Sequence, residues 1–186
     1  SAKKSLLPEE VVNPFRRIEK AVANASSAQA PIRRDRYLAE ADEDGNPKSY
    51  EIKEFWNSLE TARRLSSDLV DALKLILITG KRPGEVCAMD WRDIKNDNWW
   101  TVPAAKSKNG KEQPPLFLAG LAREMLDRRR KSKSPNSDYV FASESHQGHT
   151  RTDSLRNAIS RNLKHFGKWA VDDPFSPHIL RRTVGS

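Results

Sequence analysis

Four side chains that can bind and protonate an anion stand out by position in this 186-residue sequence. Arg82 lies at a predicted helix start, Lys108 in a predicted hairpin turn, and His178 and Arg181 in the last predicted helix. Residues three apart share a helix face, so His178 and Arg181 can address one ligand. Arginine forks bind two phosphate oxygens, lysine is a mobile proton donor, and histidine moves protons near neutral pH. A phosphodiester suits such a set.

Each of these residues also has a simpler explanation. Arg82 is followed three residues later by Glu85, a spacing that favours a local salt bridge. A lysine beside Asn109-Gly110 is usually a solvated turn residue, and His178 after a proline is usually a capping or surface histidine. The functional interpretation therefore depends on the combination and order of the four residues.

The order matches a known family. Thr79–Val86, followed by Asp90–Ile94, resembles the first-arginine box of the tyrosine recombinases, especially prophage and genomic-island integrases. Lys106–Lys111 resembles their lysine-bearing β-hairpin, and Pro177–Thr183 resembles their His-x-x-Arg box. Upstream, Arg36-Tyr37-Leu38 resembles the entry to such a catalytic domain. The resemblance covers nearly the whole chain.

The resemblance implies a role for each of the four residues. Arg82 and Arg181 would hold the non-bridging oxygens of the scissile phosphate and stabilise its transition-state charge. Lys108 would protonate the leaving 5′ oxygen, and His178 would assist proton transfer. Lys106 and Lys111 compete for the lysine role, but Lys108 directly precedes Asn-Gly, where the family's lysine usually sits. The resemblance implies neither a metal nor a cofactor.

The family's nucleophile is a tyrosine after the His-x-x-Arg helix, preceded by a second histidine or tryptophan box. Tyr37, Tyr50 and Tyr139 all precede His178, so none has the nucleophile's place in the motif order. We expect that the chain is a catalytic domain cut off before its nucleophile, and that the fragment is inactive.

The composition is compatible with this interpretation. Lysine and arginine outnumber aspartate and glutamate by 33 to 25, and the net charge of +8 favours a polyanionic partner, nucleic acid before membrane. The sequence has no long apolar run and no signal pattern, which predicts a cytoplasmic protein. The single cysteine, Cys87, excludes an internal disulfide and a zinc site of paired thiolates.

The elements that must position the four residues are mostly helices. Apolar residues at helical spacing predict a buried face from Ile52 to Leu59, with Ser49 as the N-cap, and a nearly all-apolar helix over Leu69–Ile78 that ends at Gly80. Pro83 suits the first position of the next helix.

The middle and the end of the chain complete the predicted fold. Trp99–Val102 and Leu116–Leu118 read as strands joined by an Asn-Gly hairpin, with one Trp of the pair in the core. Further predicted helices begin near Leu121, near Leu155 with Thr152 or Asp153 as cap, and at Ser176. The fold class is therefore α+β, mostly α-helical, with a small antiparallel β-sheet.

We divide the chain into the end of a core-binding domain with its linker, residues 1–35, and a catalytic domain, residues 36–186. Two groups of basic residues are each either a solvated face or a contact to the DNA backbone. The first is Arg128–Lys131 with Lys133, and the second consists of Arg156, Arg161, Lys164, His165 and Lys168. His146 and His149 lie too far from other ligands to suggest a metal.

The expected function of the parent protein is site-specific recombination of double-stranded DNA, in which a mobile element is integrated or excised by a tetramer on two synapsed sites. No small-molecule substrate is expected. The alternatives are a non-catalytic DNA-binding module derived from an integrase and a type IB topoisomerase, which uses similar chemistry.

Overall fold

Helices dominate the part of the chain that the structure describes. This computed structural model describes residues 36–38, 51–62, 65–95, 98–132, 137–143 and 148–184, all within the compact unit Ile32–Ser186. The helices in these ranges are α1 (Glu51–Thr61), α2 (Ser67–Thr79), α3 (Pro83–Cys87), α4 (Leu121–Lys131), α5 (Thr152–Phe166), α6 (Lys168–Asp172) and α7 (Pro177–Val184). The strands are β1 (Ile94–Lys95), β2 (Trp99–Trp100) and β3 (Leu116–Phe117). The predicted fold class is confirmed.

Helix α2 is the centre of the core. Its residues from Asp71 to Leu77 are all buried, and α1, α3, α4, α5 and α7 pack against it. The Ser66 side chain caps its start by accepting a hydrogen bond from the Leu69 N–H. Burial on nearly every side explains why this segment carries so few polar residues.

The end of α2 depends on Gly80, as the sequence predicts. Gly80 has a φ of 61°, in the left-handed region that glycine adopts at low cost, and its N–H bonds to the Ile76 carbonyl at 2.9 Å. A Cβ atom at this position would lie 3.4 Å from the Val184 Cγ1 atom and 4.0 Å from the Arg181 carbonyl oxygen. The start of the Arg82 segment therefore lies directly against α7.

The sheet is antiparallel, with the strand order β1-β2-β3. Trp99 pairs with Phe117 and Trp100 with Leu116. Trp100 is buried and Trp99 is exposed, which confirms the prediction that one ring lies in the core.

The predicted antiparallel pairing of the two runs is confirmed, but the strands are shorter than predicted and Asn109-Gly110 does not join them directly. β2 and β3 are joined by residues 101–115, which include the 3₁₀ helix Ala104–Lys106. Asn109-Gly110 instead forms a local turn within this loop, where Gly110 has a φ of 64° and its N–H bonds to the Ser107 carbonyl at 3.1 Å. Pro103, Pro114 and Pro115 lack the N–H groups that a longer β-ladder needs, so pairing stops early.

Two cap predictions also have an outcome. The N-cap of α5 is Arg151, without a side-chain cap bond, so neither Thr152 nor Asp153 is the cap. The Thr152 hydroxyl bonds instead to the Cys87 thiol, whose pKa is raised to about 12 by burial. The predicted Ser49 cap and the predicted end of a core-binding domain, residues 1–35, lie outside the described residues. That domain division stays a prediction.

The entry segment Arg36-Tyr37-Leu38 is held at two points. The Arg36 guanidinium pairs with Glu51 of α1 at 2.6 Å and with Asp173 at 2.9 Å. The Leu38 N–H donates to the Thr183 hydroxyl of α7 at 2.9 Å. None of the helices in the described ranges combines the length and the apolar character that crossing a bilayer requires.

Candidate functional site

Three of the four predicted site residues line one open cleft. Its volume is about 370 Å³, and it is lined by Arg82, Gly84, Glu85, Lys106, Ser107, Lys108, Thr152 and His178. Helix α3, the loop between β2 and β3, the start of α5 and the start of α7 supply these residues. The fourth predicted residue, Arg181, follows His178 by one turn of α7, and its charge acts on both His178 and Lys81.

Arg82 is held by Glu85. The Glu85 side chain is buried, and its carboxylate accepts the Arg82 backbone N–H at 3.0 Å and the Arg82 Nη1 at 3.0 Å. The local salt bridge that the spacing favours is therefore present. Among the described residues, the Arg82 guanidinium has a protein partner at its Nη1 atom, and 26% of the Arg82 side chain is exposed. The remaining donors can bind an anion in the cleft.

Lys108 is better placed than its competitors to act on a ligand. The Lys106 ammonium is held by Asp93 at 2.6 Å and Asp90 at 3.5 Å, which ties it to the segment that precedes β1. Lys111 is exposed and does not line the cleft. Lys108 is exposed, lines the cleft, and has no ion pair with the described residues. The geometry favours Lys108.

His178 sits among cations. Partial burial lowers its pKa first, and the charges of Arg182, Lys108, Arg181 and Arg156 lower it further. The imidazole is therefore neutral at neutral pH. In this form it can accept a proton or a hydrogen bond, whereas the surrounding cations attract an anion.

No sequence pattern singles out Gln113, whose side chain joins two residues that line the cleft, Glu85 and Ser107. Its Nε2 donates to the Glu85 Oε1 at 2.8 Å and to the Ser107 Oγ at 3.2 Å. The Lys81 ammonium donates to the Gln113 Oε1 at 3.2 Å. Desolvation lowers the pKa of Lys81, and the charges of Arg181 and Arg82 add to that effect while Glu85 opposes it.

Two arginines of the basic run at the end of α4 hold this helix to α2. Arg129 binds Asp71 at 3.0 Å, Asp68 at 2.8 Å and the Val140 carbonyl at 3.1 Å. Arg128 pairs with Asp71 at 2.6 Å, and the Arg130 guanidinium lies over the Trp91 ring. The contacts to Asp71 and Asp68 fasten α4 to α2 and use Arg129 internally, whereas Arg128, Arg130 and Lys131 remain exposed. Lys133 lies outside the described residues.

The basic group on α5 and α6 is more available. His165 is used internally, since its Nε2 lies 3.0 Å from the Ser58 carbonyl. Arg156 pairs with the exposed Asp153 at 3.5 Å. Arg161, Lys164 and Lys168 are exposed and show no ion pair in the part of the chain that the structure describes.

A metal site is absent from the described residues, where no group of three or more His, Cys, Asp and Glu side chains could hold an ion. His149 bonds through Nδ1 to the Thr150 carbonyl at 2.8 Å and packs on Tyr139. His146 lies outside the described residues. The arrangement of nitrogen donors and cations around the cleft can bind an oxyanion, donate a proton from lysine and accept one at histidine.

The family model described as "Phage integrase family" matches residues 48–186. A search of curated proteins found no match. Among solved structures, the lambda integrase catalytic core is similar with 24% identity and a TM-score of 0.56, covering 72% of this chain and 76% of that one.

Two structures of longer proteins bound to DNA have the same fold. The lambda integrase tetramer bound to a Holliday junction is 20% identical with a TM-score of 0.56, and the match covers 89% of this chain and 48% of that chain. XerH site-specific recombinase bound to its difH substrate is 16% identical with a TM-score of 0.54, and the match covers 80% of this chain and 42% of that chain. The chain thus spans less than half of these two longer relatives.

Proposed function

The chain belongs to the phage integrase family, and we propose from this that it is the phosphate-binding part of a site-specific DNA recombinase. The observation that carries the proposal is the convergence of Arg82, Lys108 and His178 on one open cleft, with Arg181 one turn beyond. These residues come from separate segments of the sequence. Positive charges repel one another, so their convergence on one cleft is expected where an anion binds.

In the proposed mechanism the scissile phosphate of duplex DNA enters the cleft. Arg82 and Arg181 bind its non-bridging oxygens, and the charge that develops there in the transition state is stabilised by both guanidinium groups. Glu85 holds Arg82 in place, so the guanidinium need not be ordered during the reaction. The attacking group is a tyrosine hydroxyl, and the phosphorus–5′-oxygen bond breaks as the bond to the tyrosine forms.

Lys108 donates a proton in this mechanism, and His178 accepts a proton or a hydrogen bond. The 5′ oxygen leaves as an alkoxide unless it is protonated, and the Lys108 ammonium is the donor in the cleft that has no competing carboxylate among the described residues. The neutral His178 accepts a proton or a hydrogen bond at the attacked centre. The 3′-phosphotyrosyl product keeps the energy of the broken phosphodiester, so rejoining needs no ATP.

The nucleophile is the part of the site that these residues do not supply. Tyr37, Tyr50 and Tyr139 precede His178 in the sequence, and the implied tyrosine follows it. We therefore propose that the 186-residue chain binds and polarises the phosphate, and that cleavage needs a tyrosine outside these residues. A tetramer on synapsed DNA belongs to the same proposal, which is supported by the lambda integrase tetramer bound to a Holliday junction. A cytoplasmic location is also part of the proposal.

The experiment uses a nicked duplex that traps a covalent intermediate, incubated with the longest natural protein that contains these residues. A 3′-phosphotyrosyl adduct supports the recombinase. Duplex binding without an adduct supports the alternative, a non-catalytic DNA-binding module. Relaxation of supercoiled plasmid without a requirement for a specific site would identify a type IB topoisomerase instead.

A further inference from the structure

The Gln113 side chain connects the loop that carries Lys108 to the helix start that carries Arg82. On one side its Nε2 donates to the Glu85 carboxylate, which itself holds Arg82 through two bonds. On the other side the same Nε2 donates to the hydroxyl of Ser107, the residue before Lys108. One amide group thus contacts the carboxylate that holds Arg82 and the residue that precedes Lys108.

The chemistry of its partners fixes the orientation of the Gln113 amide. The Lys81 ammonium has donors only, so it must face the amide oxygen, which it does at 3.2 Å. The Glu85 carboxylate that pairs with Arg82 has acceptors only, so it must face the amide nitrogen, which it does at 2.8 Å.

The backbone of the loop explains why this anchor matters for Lys108. The Gln113 N–H bonds to the Val102 carbonyl at 3.0 Å, which places Gln113 at the base of the loop. Ser107 is buried and its carbonyl closes the turn to Gly110. The Lys108 side chain, in contrast, makes no contact with a carboxylate of the described residues. Its position therefore depends on the backbone at Ser107.

We propose that Gln113 is a positioning residue, which holds the Lys108 turn at a set distance from Arg82 so that both cations reach one phosphate. This inference rests on the proposed function of the cleft. Gln113 touches neither the phosphate nor a reacting atom, and it acts through Ser107 and Glu85.

The test is an NMR titration of the 186-residue chain with inorganic phosphate, which needs no knowledge of the DNA target. The side-chain resonances of Arg82 and Lys108 report phosphate binding separately. In the wild type both should shift along one saturation curve. In Gln113→Ala the Arg82 response should remain, because Glu85 still holds it, while the Lys108 response falls several-fold.

Two further variants keep the test decisive. Gln113→Leu nearly preserves the side-chain size but has neither a donor nor an acceptor, so it should lose the Lys108 response without leaving the cavity that Gln113→Ala leaves. Glu112→Ala changes an exposed neighbour in the same loop and should behave as the wild type. Thermal unfolding of each variant checks that it is folded.

The outcomes separate the inference from the proposed function. A Lys108 response that persists in both folded Gln113 variants overturns the inference, and so does a joint loss of the Arg82 and Lys108 responses. If phosphate moves neither resonance in the wild type, the proposed function of the cleft fails, and the inference fails with it.

Discussion

The Glu85 carboxylate accepts both the backbone N–H and the Nη1 of Arg82, each at 3.0 Å. This pair combines a helix cap with a salt bridge, and the carboxylate is buried while the guanidinium reaches the cleft. The sequence suggests a simple local ion pair between these residues. The same contact also orients Arg82, which we propose binds the phosphate.

Replacing Glu85 by alanine should reduce both stability and phosphate binding. The Arg82 N–H loses its cap, an interaction worth about 0.5–2 kcal/mol in general, and the Gln113 amide loses its acceptor. Urea unfolding should show a lower midpoint. A variant with unchanged stability and unchanged DNA affinity would contradict the positioning role of Glu85.

Replacing Arg82 or Arg181 by alanine should abolish recombination by the full-length protein while the fold remains. Loss of one preorganised donor to a developing oxyanion costs on the order of 10²-fold or more in rate. Recombination between two plasmid-borne sites measures the effect. Arg123→Ala is the matched control, because Arg123 is exposed on α4 and does not line the cleft. Normal recombination by the Arg82 and Arg181 variants would show that these arginines do not bind the scissile phosphate.

The 186-residue chain should bind duplex DNA weakly and form no covalent adduct. Binding through Lys and Arg releases counterions, so the affinity should fall steeply from low to physiological salt. Fluorescence anisotropy at several salt concentrations gives the slope, and a nicked suicide substrate followed by denaturing electrophoresis detects adducts. A covalent adduct would disprove the view that the nucleophile lies outside these residues.

The pH dependence should come from His178. Its folded-state pKa lies below the ordinary 6.5 because of partial burial and the neighbouring cations. Folding therefore disfavours its proton, and this contribution to stability is present above pH 6.5 and is lost as the pH falls. A bound phosphate opposes the cations, so DNA binding near pH 6 should take up a proton. Calorimetry in buffers of different ionisation enthalpy measures this uptake, and it should vanish in His178→Gln.

The two basic groups should respond differently to substitution. Arg129→Ala removes one of the two arginines that pair with the buried Asp71 among the described residues, so it should lower the stability. Leaving a buried charge without a partner costs about 3–5 kcal/mol in general, and the remaining Arg128 contact should keep the cost below that. Arg161→Ala removes an exposed charge without a described partner, so it should leave stability unchanged and weaken DNA binding. Chemical denaturation and salt-dependent DNA binding, measured on both variants, check the contrast. Equal effects of the two substitutions on stability would be incompatible with the contacts of Arg129.

The sequence predicts the helices well because their signals are local. Ser66 to Gly80 encloses an apolar run that can only be buried, and Pro83 begins the next helix at the expected residue. The loop between β2 and β3 was not predictable in the same way. Asn109-Gly110 has the residue types of a tight hairpin turn, but the prolines and the 3₁₀ helix of this loop end the paired strands well before the turn.

The site shows the same division between local and long-range information. Motif order selected Arg82, Lys108, His178 and Arg181, since each lies in a segment with its own pattern, and the first three of them line one cleft. Gln113 has no pattern, because its importance comes from partners in other segments that meet it only after folding. The preference for Lys108 over Lys106 likewise has a physical reason in the folded protein, because Asp93 holds the Lys106 ammonium.

The glycine at the end of α2 lies between the segment of Arg82 and the helix of Arg181. Gly80 is two residues before Arg82, and its missing side chain is where Val184 and the backbone of Arg181 approach. A side chain at this position would have room for its Cβ but would be held in the left-handed backbone conformation, at a φ of 61°. Replacing Gly80 would therefore strain the turn that leads into Arg82, at the point where this turn touches the helix that carries Arg181.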